Sequence, residues 1–103
     1  MQLHPEVAHF ARLLASIEEH LTRYGDEHWS PMVRHSRASI ERSDAYGLVC
    51  FLRLFGGMGS INDLLLWKEG RIVHAATEQL REMLAEASSI AHKLQREAEK
   101  RPE

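Results

Sequence analysis

The chain has little of what a disulfide-stapled, polyelectrolyte or membrane-spanning protein depends on. One cysteine, Cys50, stands among 103 residues, so no internal disulfide can form and the expected compartment is reducing. No apolar run approaches the ~18 residues that a membrane span needs. The longest, from Leu48 to Phe55, is interrupted by Arg53. Net charge is only −2, too small for a polyelectrolyte that tracks nucleic acid. The opening Met1-Gln2-Leu3-His4-Pro5-Glu6 carries neither the basic nor the apolar block of a secretory signal, and a cytoplasmic protein is expected. Nucleic acid and membrane are therefore not among the expected partners.

What is present describes a single globular domain over residues 1–103. An apolar fraction of 44% with 27% charged residues argues against disorder and against a fibrous fold. The length closes one hydrophobic core and not two. Glycine is scarce, yet three of the six fall in Gly56-Gly57-Met58-Gly59, a concentration that a turn or a close approach would require.

Hydrophobic spacing predicts a mainly α bundle of four main helices. Leu3, Val7, Phe10, Leu14, Ile17, Leu21 and Tyr24 recur in steps of four and three, placing helix 1 at 5–24 with Gly25 as its left-handed stop. Ser30-Pro31 reads as a cap and first-turn proline for helix 2 over 30–42. Its stripe of Met32, Val33, Ala38 and Ile40 is thin and suggests an outer helix, with Trp29 stapling the turn before it. Helix 3, over 44–55, opens at Ser43-Asp44 and is apolar nearly all round, as a central helix would be. Gly47 inside it costs about 1 kcal/mol relative to alanine, which a close helix crossing would offset. The Gly-rich loop spans 56–63. Residues 64–74 admit two readings: a short helix begun by a Ser60/Asp63 capping box, or a β-hairpin turning at Lys68-Glu69-Gly70. The last helix is the longest, over 73–100, with Lys93–Glu97 and Glu97–Arg101 as pairs one turn apart.

No constellation of catalytic type emerges. Glu6-Val7-Ala8-His9 has the spacing of a carboxylate-bridged di-iron helix, but such a site needs two copies and two further glutamates, so no metal or other cofactor is expected. Cys50 lies in the densest apolar run, where a thiolate is disfavoured. Ser60 lacks the Gly-x-Ser-x-Gly elbow. Gly56, Gly57, Gly59, Ser60, Asn62 and Asp63 are read as a structural loop, with the Asn62 and Asp63 side chains bonding its backbone. His20, near the end of helix 1, suits the carbonyls of that helix terminus.

Charge is unevenly placed. Residues 1–30 hold five acids against two arginines, and residues 31–43 hold three arginines against one acid, a polarity that suits oriented contacts. Two acidic patches follow: Glu18, Glu19, Asp26 and Glu27 beside Trp29, ranked first because it has an aromatic, and Glu78, Glu82 and Glu86 along the last helix.

Tyr24-Gly25-Asp26 with His28-Trp29, followed by Gly56-Gly57-Met58-Gly59-Ser60-Ile61-Asn62-Asp63-Leu64, resembles a small bacterial family of unknown function over roughly residues 10–95. Small helical proteins of this kind resemble, in size and type, the immunity proteins that neutralise bacterial toxins. The resemblance implies a non-enzymatic, cytoplasmic antitoxin with a toxin domain as partner. A small enzyme or ligand-binding domain using the Gly-rich loop, and a homodimeric adaptor paired through the last helix, are the competing readings.

Overall fold

The computed structural model describes residues 4–56 and 60–100. Four helices, α1 (Pro5–Arg23), α2 (Trp29–Glu41), α3 (Tyr46–Arg53) and α4 (His74–Lys100), are joined by a 3-10 turn (Ile61–Asp63) and a hairpin of β1 (Trp67–Lys68) and β2 (Arg71–Ile72). α1 packs on α2 and α4, and α3 packs on the same two, so the helices form a closed ring. α1 and α4 run antiparallel, since Glu6 meets Lys93 while His20 meets Ala76.

α1 forms as its spacing requires. Phe10, Leu14, Ile17 and Leu21 are fully buried, Tyr24 is the C-cap, and Gly25 adopts φ +76°. Facing them, Leu80, Leu84, Ala87 and Ala91 of α4 are fully buried too. Phe51 of α3 reaches across the ring to meet Phe10 edge-on at 5.5 Å.

α2 departs from its expected start and place. Its first N–H groups are capped by Asp26, whose Oδ2 accepts from the Trp29 and Ser30 amides at 2.7 and 2.8 Å. Ser30 therefore lies inside the first turn, where its hydroxyl donates to the Asp26 carbonyl. Nor is α2 an outer helix. Ser30, Ser36 and Ser39 are buried along with Val33 and Ile40, so small polar residues complete the face that an apolar count leaves thin.

α3 is not the central helix: it is only two turns long and borders α2 and α4. Tyr46 is 49% exposed, so a sequence that is apolar all round is not buried all round. Asp44 Oδ1 caps it by accepting from the Tyr46 amide. Gly47 has the close crossing that the sequence suggests. A Cβ there would stand 2.8 Å from both Ile40 Cγ1 and the Ser36 carbonyl oxygen.

Residues 64–74 contain the hairpin. Trp67 pairs with Ile72 and Lys68 with Arg71, and the turn is the two residues Glu69 and Gly70, both at positive φ, as the tightest hairpin connections require. So short a ribbon is not stable by itself. Leu66 anchors it: its side chain is buried, its amide donates to Thr77 Oγ1 at 3.0 Å, and its carbonyl accepts from Val73 at 2.8 Å. Thr77 completes the clamp by donating to the Val73 carbonyl.

Candidate partner-binding surface

Most of the first acidic patch is engaged within the fold. Glu18 receives Arg34 Nε at 2.8 Å and Arg37 Nη2 at 2.9 Å, joining α1 to α2. Burial works against its charge, but the hydrogen bonds from Arg34 and Arg37 outweigh it and hold the carboxyl below the usual carboxylate range. Glu19 pairs with Arg23 one turn on, and Asp26 is the α2 cap. Trp29 is half-buried against the core, with the His28 ring edge-on to it at 4.8 Å. Glu27 is exposed, and no ion pair engages it among the described residues. The charge polarity seen in the sequence thus becomes an internal seam between α1 and α2.

The second patch stands differently. Glu78, Glu82 and Glu86 are all exposed on α4. Glu86 meets His9 Nε2 at 3.1 Å, and no ion pair engages Glu78 or Glu82 among the described residues. Glu78 directly follows Thr77, whose hydroxyl holds Leu66, so this end of α4 emerges beside the strand that carries Trp67. Trp67 is 52% exposed and Leu65 38%. Strand alternation directs them away from the side on which Leu66 is buried, with Ile72 opposite Trp67. An exposed tryptophan beside a second large apolar residue is the type of feature that marks contact surfaces. It was missed in the sequence because Trp67 ends an apolar run that reads equally well as core.

The loop residues divide. Gly57 and Gly59 lie outside the described residues. Gly56 needs no special backbone: a Cβ there would meet the Arg53 carbonyl at an ordinary 3.5 Å. Ser60 caps the 3-10 turn by accepting from the Asn62 amide, and Ile61, fully buried, donates its amide to Leu54. Asn62 and Asp63 are exposed, and the loop backbone at 57–59 that their side chains are expected to bond lies outside the described residues. Ser60 and Ile61 hold the described part of the segment.

The histidines and acids at helical spacing have structural partners. Glu6 pairs with Lys93 at 2.9 Å, and this hydrogen bond lowers the Glu6 carboxyl and raises the Lys93 ammonium from their ordinary values. Lys93 thus reaches across to α1 and not along α4 to Glu97. His20 is buried and its Nε2 donates to the Ala76 carbonyl at 2.8 Å, on α4 and not on its own helix end. Cys50 is half-buried. Among the described residues no cluster of three metal-binding side chains occurs, and no helix is long and apolar enough to cross a membrane.

Fold and surface together define a small mainly α domain that displays a tryptophan-bearing hairpin. The chain belongs to the family described as Domain of unknown function (DUF6966), which matches residues 22–74. That span runs from the end of α1 through the hairpin and takes in Asp26, Trp29 and Trp67. No curated protein and no solved structure matches the chain.

Proposed function

We propose that this domain is a non-enzymatic binding protein, an immunity protein that acts in the cytoplasm by occluding a toxin domain. The observations that carry the reading are the half-exposed Trp67, on a hairpin that Leu66 and Thr77 tie to α4, and the exposed acids Glu78 and Glu82 that follow Thr77 on that helix, which no ion pair engages among the described residues. Binding energy concentrates in a few aromatic anchors, and acids around such an anchor steer a basic partner and set its register. A toxin that acts on nucleic acid or nucleotides has a cationic cleft, which this combination complements. The ranking of the two patches is accordingly reversed. Trp29 is partly packed into the core and most of its acids are paired, whereas Trp67 supplies the aromatic that the second patch lacked.

The test begins with the gene's neighbours, where the proposal expects a toxin domain. Co-expression should restore growth, and the purified pair should bind one to one. Trp67→Ala should weaken binding by roughly 30-fold, the measure of a 2 kcal/mol hot spot. Glu78→Lys with Glu82→Lys should slow association about tenfold and reverse its salt dependence, while Glu19→Lys with Glu27→Lys changes it little. Binding unaffected by the first two substitutions, or growth rescue by neither chain nor variant, would overturn the proposal.

A further inference from the structure

At the opposite end of α4 from the hairpin, the start of α1, the corner between α2 and α3, and the last turns of α4 enclose a groove of about 370 Å³. That size is at the lower end of small-ligand sites, which are typically apolar with a few polar groups at the edge. Val7, Leu48 and Leu94 supply apolar walls, and Asp44 and Glu97 stand at its rim with His4. Four helix ends meet here, two N-terminal and two C-terminal, so their dipoles oppose one another and the carboxylates determine the sign. No lysine or arginine lines the groove among the described residues. Lys93, one turn before Glu97, is engaged by Glu6. Asp44 uses Oδ1 to cap α3, which leaves Oδ2 for a ligand.

We propose that this groove binds a linear aliphatic ammonium, its hydrocarbon chain against Val7, Leu48 and Leu94 and its charge met by Asp44 and Glu97. The site is separate from the hairpin surface and does not depend on the reading of that surface. An alkyl chain fits a slot with apolar walls, and a cation fits a rim whose formal charges, among the described residues, are both negative. Both carboxylates are exposed to solvent, so their attraction is screened and the hydrocarbon contact supplies selectivity for chain length.

Titration of the full chain with n-hexylamine, followed by methyl NMR, tests it. Saturable shifts are expected at the methyls of Val7, Leu48 and Leu94, and n-hexanol, which has the same chain and no charge, should bind about fivefold more weakly. Asp44→Asn with Glu97→Gln should lower hexylamine affinity by about the same factor and leave hexanol unchanged. Asparagine retains the cap acceptor of α3, so this variant should keep its melting temperature. Ala98→Phe, at an exposed position lining the groove, should block both ligands. The proposal fails if hexylamine shifts do not saturate or spread over the surface. It fails equally if hexanol binds as tightly, or if the double variant retains full affinity for the amine.

Discussion

Gly47→Ala sets two effects of opposite sign against each other. Alanine gains about 1 kcal/mol over glycine in a helix interior, so at an open position the change would stabilise. At Gly47 the added methyl would stand 2.8 Å from Ile40 Cγ1, 3.0 Å from Ile40 Cδ1 and 2.8 Å from the Ser36 carbonyl oxygen. The Ile40 side chain is 3% exposed, and a helix carbonyl cannot rotate away without breaking its own hydrogen bond. Overpacking of this type costs roughly 1–3 kcal/mol and here includes backbone movement. The net expectation is a loss of up to about 2 kcal/mol, or up to roughly 10 °C in melting temperature for a chain this size. Urea denaturation of Gly47→Ala beside Gly56→Ala measures it. Gly56 is not at positive φ and has only ordinary contact, so its alanine variant should be neutral or up to about 1 kcal/mol more stable. Adding Ile40→Ala to Gly47→Ala should relieve part of the strain and not all, because the Ser36 carbonyl remains. A Gly47→Ala protein more stable than the wild type would refute the close α2–α3 crossing.

Asp26→Ala should lower stability by about 1–2 kcal/mol, since two α2 amides lose their acceptor; a thermal melt within 1 °C of wild type would show that the cap is dispensable. Thr77→Val leaves the buried Leu66 amide without a partner and should cost about 1–3 kcal/mol, with faster hydrogen exchange in the hairpin, while Thr77→Ser restores both. Glu18 has a folded-state pKa below its unfolded value of about 4.3, so its contribution is present above that value and is lost as pH falls through the folded pKa. Glu18→Gln should therefore destabilise the protein near neutrality and converge with wild type in acid, which urea midpoints at two pH values would reveal; a constant gap between the two proteins would contradict the linkage.

α1 and α4 were legible because their apolar residues keep helical period over many turns, and burial followed that period at Phe10, Leu14, Ile17, Leu80 and Leu84. The depth of α2 was not legible. Serine counts as polar in any apolar pattern, yet Ser36 and Ser39 are buried because small side chains let helices approach. The α2 cap was displaced for a similar reason: Ser30-Pro31 has the right composition, but Asp26 reaches forward three and four residues and satisfies the same amides. The two tryptophans carry the clearest lesson for the surface. Trp29 and Trp67 both follow polar or apolar runs that leave their exposure undetermined, and only the tertiary positions of α1 and Leu66 separate them. The partners of Glu18, Lys93 and His20 lie 16, 87 and 56 residues away, beyond the reach of local spacing.

The Glu6–Lys93 tie places the beginning of the first helix alongside the end of the last. A short glycine and serine linker could therefore join the two ends, with the chain opened instead at the exposed Glu69-Gly70 turn. Such a circular permutant would begin with β2 and finish at β1, and the ring of helices should close as before, because each helix keeps its neighbours whatever the order of synthesis. The hairpin tip would then become a pair of free termini beside Trp67, a natural point from which to attach a reporter to the proposed contact surface.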